Sequence, residues 1–194
     1  MTAITAPAPT LADAVFPRTR VRDALLVVGF AGLTALAAQL TIKLPFTPVP
    51  ITGQTFAVLA TGTALGWRRG LLSQLLYVVA GLGLPIYAGG AHGWAQLTGA
   101  SGGYLVGFVV AAALVGLLSE RRQDRSLLTS IPAMLAGSAV IYAFGLPWLA
   151  HSIHVSGTKA AELGLAPFLI GDTIKLLLAA GIGPAAWRFV KSGE

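Results

Sequence analysis

An all-α integral membrane protein, a bundle of six transmembrane helices with both termini in the cytoplasm, is the fold class this sequence predicts. Three observations carry it. Of 194 residues, 55% are hydrophobic and 10% charged, whereas a soluble domain carries about 25% charge. Six apolar runs follow one another along the chain, near 22–42, 51–66, 70–86, 102–119, 127–149 and 166–189. The basic residues between them fall almost entirely on one side of the alternation.

A spanning helix needs about 20 apolar residues, because about 30 Å of hydrocarbon is crossed at 1.5 Å per residue. Six such helices use about 120 residues, which leaves room for short loops and no separate catalytic domain. Residues 1–17 are rich in Ala, Pro and Thr and contain no apolar run. They read as a loose tail, so the chain divides into a cytoplasmic tail, 1–20, and a transmembrane domain, 21–194. The second and third runs are separated by Trp67-Arg68-Arg69-Gly70. With Gly66 and Gly70 at the break, they read as a tight helical hairpin.

Arg18, Arg20, Arg22, Arg68, Arg69, Arg121, Arg122, Arg125, Arg188 and Lys191 share one side, and only Lys43 and Lys159 lie on the other. The positive-inside rule then puts both termini in the cytoplasm and requires an even number of spans. The net charge of +6 is therefore a topology signal rather than a nucleic-acid footprint. The location it implies is the cytoplasmic (inner) cell membrane, with the lipid bilayer as the first partner.

A charge at bilayer depth costs at least about 2.5–3.5 kcal/mol, so each one requires a reason. Asp172 and Lys175, in the sixth run, are the two that qualify. A spacing of three sets them on one helical face. Two readings are open: a structural ion pair that neutralises both charges, or a site for a small polar ligand. In the second, Asp172 accepts N–H donors and Lys175 supplies charge-assisted ones.

Between the first two runs, Pro45, Pro48 and Pro50 deny the backbone a helix and favour an extended loop. This segment serves as a lid or as a simple connector, with Gln54 at the mouth of the second helix as a candidate ligand contact. The loop that follows the third run combines glycines, which let backbone approach a ligand, with aromatic faces that stack on rings. Tyr87, Gly90, Trp94 and Tyr104 are the candidates there. Trp94 and Tyr104 suit interfacial anchoring equally well. Tyr142, in the fifth run, is a further candidate contact. In the first run Ala31, Ala35 and Ala38 keep small-residue spacing, which serves internal packing or a partner surface.

Several classes are excluded or disfavoured. The chain has no cysteine, which removes disulfides, thiolate nucleophiles and zinc-cysteine sites. No Gly-Lys dipeptide occurs, so a phosphate-binding G-x-x-x-x-G-K-[ST] loop is absent. His151 and His154 have no third ligand nearby in sequence, and read as loop histidines rather than a metal site.

The run Gln39 to Leu59, which contains Pro45-Phe46-Thr47-Pro48-Val49-Pro50-Ile51-Thr52-Gly53-Gln54-Thr55, closely resembles the P-F-T-P-V-P-x-T-x-Q-T stretch of the BioY family. Further similarity follows in order at Leu72-Ser73-Gln74-Leu75-Leu76-Tyr77, Gly83-Leu84-Pro85, Gly89-Gly90, Gly102 to Phe108 and Gly171-Asp172-Thr173-Ile174-Lys175. It departs at Gly99-Ala100-Ser101-Gly102-Gly103-Tyr104, where the family reads G-P-T-G-G-[YF].

The resemblance implies a biotin-specific S component of an energy-coupling factor transporter. Such a protein is a six-helix bundle binding biotin near its outer face, with the family's G-D-x-x-K motif at Asp172 and Lys175. It also implies a transmembrane coupling protein and two ATPase subunits as partners, with Ala31, Ala35 and Ala38 similar to the face S components offer to the coupling subunit. ATP would be used by the partners, biotin would be cargo, and this chain would carry no cofactor and no metal. The rival readings are an S component for another small vitamin, and a membrane-embedded enzyme using Asp172. A second intramembrane carboxylate and an intrahelical histidine are missing for the latter.

Overall fold

A computed structural model of the chain describes residues 8–192. It is mostly helical: α1 (Leu11–Val15), α2 (Arg20–Gln39), α3 (Gln54–Leu65), α4 (Trp67–Ala80), α5 (Trp94–Thr98), α6 (Gly102–Glu120), α7 (Leu127–Ser152), α8 (Gly157–Gly164) and α9 (Leu169–Ser192). A two-residue antiparallel ribbon, β1 (Thr41–Ile42) with β2 (Ile51–Thr52), pairs Thr41 with Thr52 and Ile42 with Ile51. The proline segment forms the loop of this ribbon, as three fixed φ angles and missing amide donors require.

Four helical segments, Arg20–Gln39, Gly102–Glu120, Leu127–Ser152 and Gly157–Val190, are long and apolar enough to cross a bilayer. With 12 and 14 residues, α3 and α4 reach about 18 and 21 Å, short of the full hydrocarbon thickness. They do form the expected hairpin. A Cβ placed on Gly70 would lie 3.5 Å from the Gly62 Cα, whereas a straight helix would hold these residues about 12 Å apart. Gly66 makes the reversal with φ +79°, a conformation that side chains with a Cβ resist.

Burial separates inner from outer helices. In α6, 61% of the spanning window is buried, against 17% in α2, so α6 is the axis on which α3, α4 and α7 pack. Its Tyr104, Leu105, Phe108, Ala111 and Ala112 join Val58, Tyr77, Ile141 and Leu149 in the main core. A second cluster, with Leu59, Val115, Met134, Leu176 and Ala179, seals α3, α6, α7 and α9. Pro132 and Pro147 in α7 and Pro184 in α9 lie inside helices, which membrane bundles tolerate because neighbouring groups satisfy the freed carbonyls.

The segment expected to be a loose tail is ordered from residue 8 onward; residues 1–7 lie outside the described residues. Thr10 caps α1, its side chain accepting from the Asp13 amide while the Asp13 carboxylate returns the bond. Asp13 also accepts from Arg18 at 2.9 Å, Arg22 at 2.9 Å and Arg69 at 2.8 Å. Arg22 and Arg69 each reach Asp23 as well, both at 2.9 Å. Burial pushes the Asp13 carboxyl up, but hydrogen bonds from Arg69, Arg18, Arg22 and Thr10 outweigh it and hold the group well below the usual carboxylate range. This network ties α1, α2 and α4 together at the basic end, so from residue 8 onward the segment is packed against the bundle and not loose.

Candidate functional site

The end of the bundle remote from Arg68 and Arg121 holds a partly open cavity of about 50 Å³. Its walls come from the ribbon loop (Val49, Pro50), the start of α3 (Gln54, Thr55), the start of α6 (Tyr104), α7 (Tyr142) and the start of α9 (Asp172, Lys175). Helix starts meet here because α3, α6 and α9 all enter the bundle from this end.

Asp172 organises the polar wall. Its Oδ1 accepts from Lys175 Nζ at 2.7 Å and from Thr55 Oγ1 at 3.2 Å, and its Oδ2 accepts from the Tyr142 hydroxyl at 2.5 Å. The spacing of three does place both charges on one face, and that face lines the cavity. Side-chain exposure of 13% for Asp172 and 18% for Lys175 means that neither charge is solvated enough to stand alone. Three donors on one carboxylate fix it in direction.

Tyr104 and Tyr142 form the aromatic wall, with ring centroids 6.3 Å apart at an interplanar angle of 84°. Tyr104 donates to the Gly164 carbonyl at 2.9 Å. Gln54 is buried, with Nε2 donating to the Tyr77 hydroxyl at 2.7 Å and Oε1 accepting from Thr52 at 2.9 Å. The ribbon loop is latched over the cavity where Thr47 Oγ1 donates to the Leu163 carbonyl at 2.7 Å. Phe168 closes the remaining side.

Of the residues singled out from the sequence, Asp172, Lys175, Gln54, Tyr104 and Tyr142 meet at this cavity. Tyr87, Gly90 and Trp94 are absent from its lining. Tyr87 is buried elsewhere, donating to the Val78 carbonyl at 2.6 Å and lying edge-on to Tyr77; burial pushes its phenol above the ordinary value. Gly90 adopts φ +77° in a one-turn 3₁₀ element. Trp94 is 67% exposed, as an interfacial anchor would be.

Ala31 and Ala38 are buried in the core, where their small size serves internal packing, and Ala35 is partly buried against it. Thr55 and Phe168 are cavity residues that sequence reasoning missed. A polar Thr at the first turn of an apolar helix was the available signal for Thr55. Among the described residues no cluster of three metal-ligating side chains occurs.

This arrangement, an ion pair and a tyrosine hydroxyl facing an aromatic wall under a latched loop, can grip a small ligand carrying both N–H donors and an anionic group. It offers no activated nucleophile and no second carboxylate. Comparison with known proteins agrees. Residues 9–192 match the family model described as BioY family. The biotin transporter BioY of Rhizobium etli is 37% identical over 173 residues, covering 84% of this chain and 92% of that protein. The probable biotin transporter BioY of Pyrococcus horikoshii is 37% identical over 161 residues, covering 82% and 93%. A crystal structure of the S-component for biotin from an ECF-type ABC transporter superposes with a TM-score of 0.80 at 25% identity, covering 88% of this chain and 95% of that one. With the match running from the N-terminal α1 through α9, this multi-pass membrane chain belongs to the BioY family.

Proposed function

We infer that this chain captures biotin and serves as the substrate-specific subunit of a biotin uptake transporter. It is a binder and carrier, not an enzyme. The observation that carries the reading is the Asp172–Lys175–Tyr142 constellation in a small cavity, within a chain whose relatives are named biotin transporters. Biotin presents ureido N–H groups on a near-planar ring, a fused thioether ring and a carboxylate. The carboxylate of Asp172, the ammonium of Lys175 and the faces of Tyr104 and Tyr142 are complementary to those groups, with Gln54 and Thr55 as further contacts.

The cavity of about 50 Å³ has room for only a few waters, at about 10–15 Å³ each. Biotin therefore enters when the ribbon loop lifts away from Leu163.

Charge asymmetry supports the finer topology, in which α2, the short hairpin helices α3 and α4, α6, α7 and α9 make six spans with both termini in the cytoplasm. The cavity then opens outward and the Asp13 network faces inward, in the inner cell membrane. A transmembrane coupling protein and two ATPase subunits supply the energy, and this chain holds no cofactor. The test is uptake of labelled biotin by cells lacking their own biotin transporter. Expression of this chain with the three partner subunits should restore uptake, and Asp172→Asn should abolish it. Uptake of a different vitamin in place of biotin would overturn the substrate.

A further inference from the structure

A second, larger concavity lies at the opposite end from the biotin site. A groove of about 1010 Å³ runs between α2 and α4, walled at depth by Ala24 and Val27 of α2 and by Leu72, Leu75, Leu76 and Val79 of α4. Leu72 and Val79 are 50% and 54% exposed, so this wall faces lipid rather than core. From Arg68 to Val79 the groove follows α4 for about 17 Å, close to the roughly 15 Å hydrocarbon depth of one leaflet.

Its mouth is cationic. Asp13 and Asp23 are both engaged by Arg22 and Arg69. Glu120 accepts the Trp67 amide at 3.1 Å, which places it on the N-terminus of α4. Arg18, Arg22, Arg68 and Arg69 against Asp13, Asp23 and Glu120 leave one net positive charge, and Arg18 and Arg68 are the guanidiniums least committed to these carboxylates. Arg18 is 70% exposed and touches Asp13 through one nitrogen. Arg68 makes no ion pair among the described residues and lies 5.1 Å over the Trp67 ring, an aromatic at headgroup level.

We propose that this groove binds one anionic phospholipid, its phosphate between Arg18 and Arg68 and an acyl chain along Leu72, Leu76 and Val79. A uniformly apolar groove would suit any lipid tail or a partner helix. A hydrocarbon-depth wall ending at an exposed Arg18, an Arg68 outside any ion pair among the described residues and a net positive charge of one suits an amphiphile with a negative head.

Native mass spectrometry of the delipidated full chain in a non-ionic detergent, titrated with dioleoyl phosphatidylglycerol or dioleoyl phosphatidylcholine, tests this. One saturable phosphatidylglycerol adduct should form about tenfold more readily than the phosphatidylcholine adduct, as two cations near one phosphate provide. R18Q/R68Q should remove that preference, R18K/R68K should retain most of it, and Leu76→Trp should reduce both adducts by filling the groove. Equal adducts with the two lipids, or a preference indifferent to R18Q/R68Q, would overturn the proposal. So would an equally strong adduct with soluble glycerol phosphate. Leu76→Trp that blocks assembly with the coupling subunit yet leaves lipid adducts intact would give the groove to a protein partner instead.

Discussion

The Tyr142 hydroxyl donates to Asp172 Oδ2 at 2.5 Å, joining the middle of α7 to the first turn of α9 across the cavity. Because Lys175 occupies the other carboxylate oxygen, Asp172 is directed from two sides. Asp172→Asn and Lys175→Ala should each weaken biotin binding by more than about tenfold, about 1.4 kcal/mol. Tyr142→Phe, which keeps the ring and removes one donor, should cost about tenfold to a hundredfold, the range of a hydrogen bond to a charged group. Wild-type affinity in all three folded variants would leave Asp172 and Lys175 as a structural pair only.

The Thr47 bond to the Leu163 carbonyl is the polar tie between the ribbon loop and the α8 side of the cavity. Thr47→Val removes it while keeping shape. A bond worth about 1 kcal/mol predicts a roughly fivefold faster release of labelled biotin in a chase experiment. An unchanged release rate would mean that the loop does not limit exit.

Gly145 lies on α7 against Tyr104, where an added Cβ would come within 2.5 Å of the ring carbons Cδ1 and Cε1. Tyr104 is itself buried and bonded to Gly164, so it cannot swing aside freely. Gly145→Ala should destabilise the fold by about 1–3 kcal/mol and lower biotin affinity by displacing the aromatic wall, although residue 145 lines no part of the cavity. Isothermal binding and thermal denaturation of the same preparation separate the two effects.

Asp13→Asn should lower stability by about 2–3 kcal/mol, the scale of hydrogen bonds to a charged group. For a chain of this size that is a drop in melting temperature of about 4–12 °C. Asp13 is held below its ordinary pKa, so its contribution is fully present above the unfolded value of about 3.9 and is lost as pH falls through the depressed folded value. The difference between wild type and Asp13→Asn should therefore be constant across neutral pH and narrow only in strong acid. A gap that closes near pH 6 would contradict this origin.

Much of the architecture was legible because the bilayer imposes simple rules. Apolar runs of sufficient length gave α2, α6, α7 and α9, and Gly66 gave the α3–α4 reversal. Asp172 and Lys175 stood out because charge at membrane depth demands a partner. Tyr142 was a candidate from its place in the fifth run, but its partnership with Thr55 and Asp172 joins three helices, and no spacing rule reports which helices will meet. Aromatic and small residues were ambiguous in kind: Tyr87 and Trp94 suit a ligand, a core or an interface equally well as isolated letters, and Ala31 and Ala38 went to the core. The order in the N-terminal segment was foreshadowed by Thr10-Leu11-Ala12-Asp13, a capping-box pattern. Its weight depends on Arg22 and Arg69, which lie in α2 and α4 and reach Asp13 only once the bundle has formed.

The most direct test of the account is equilibrium binding of radiolabelled biotin to the purified chain in detergent, with biotin amide, thiamine and riboflavin as competitors. Tight, saturable binding to the chain alone is expected, displaced by biotin, less effectively by the amide, and not by the other vitamins. Well-folded protein that leaves biotin free in solution, or releases it equally to thiamine or riboflavin, would contradict it.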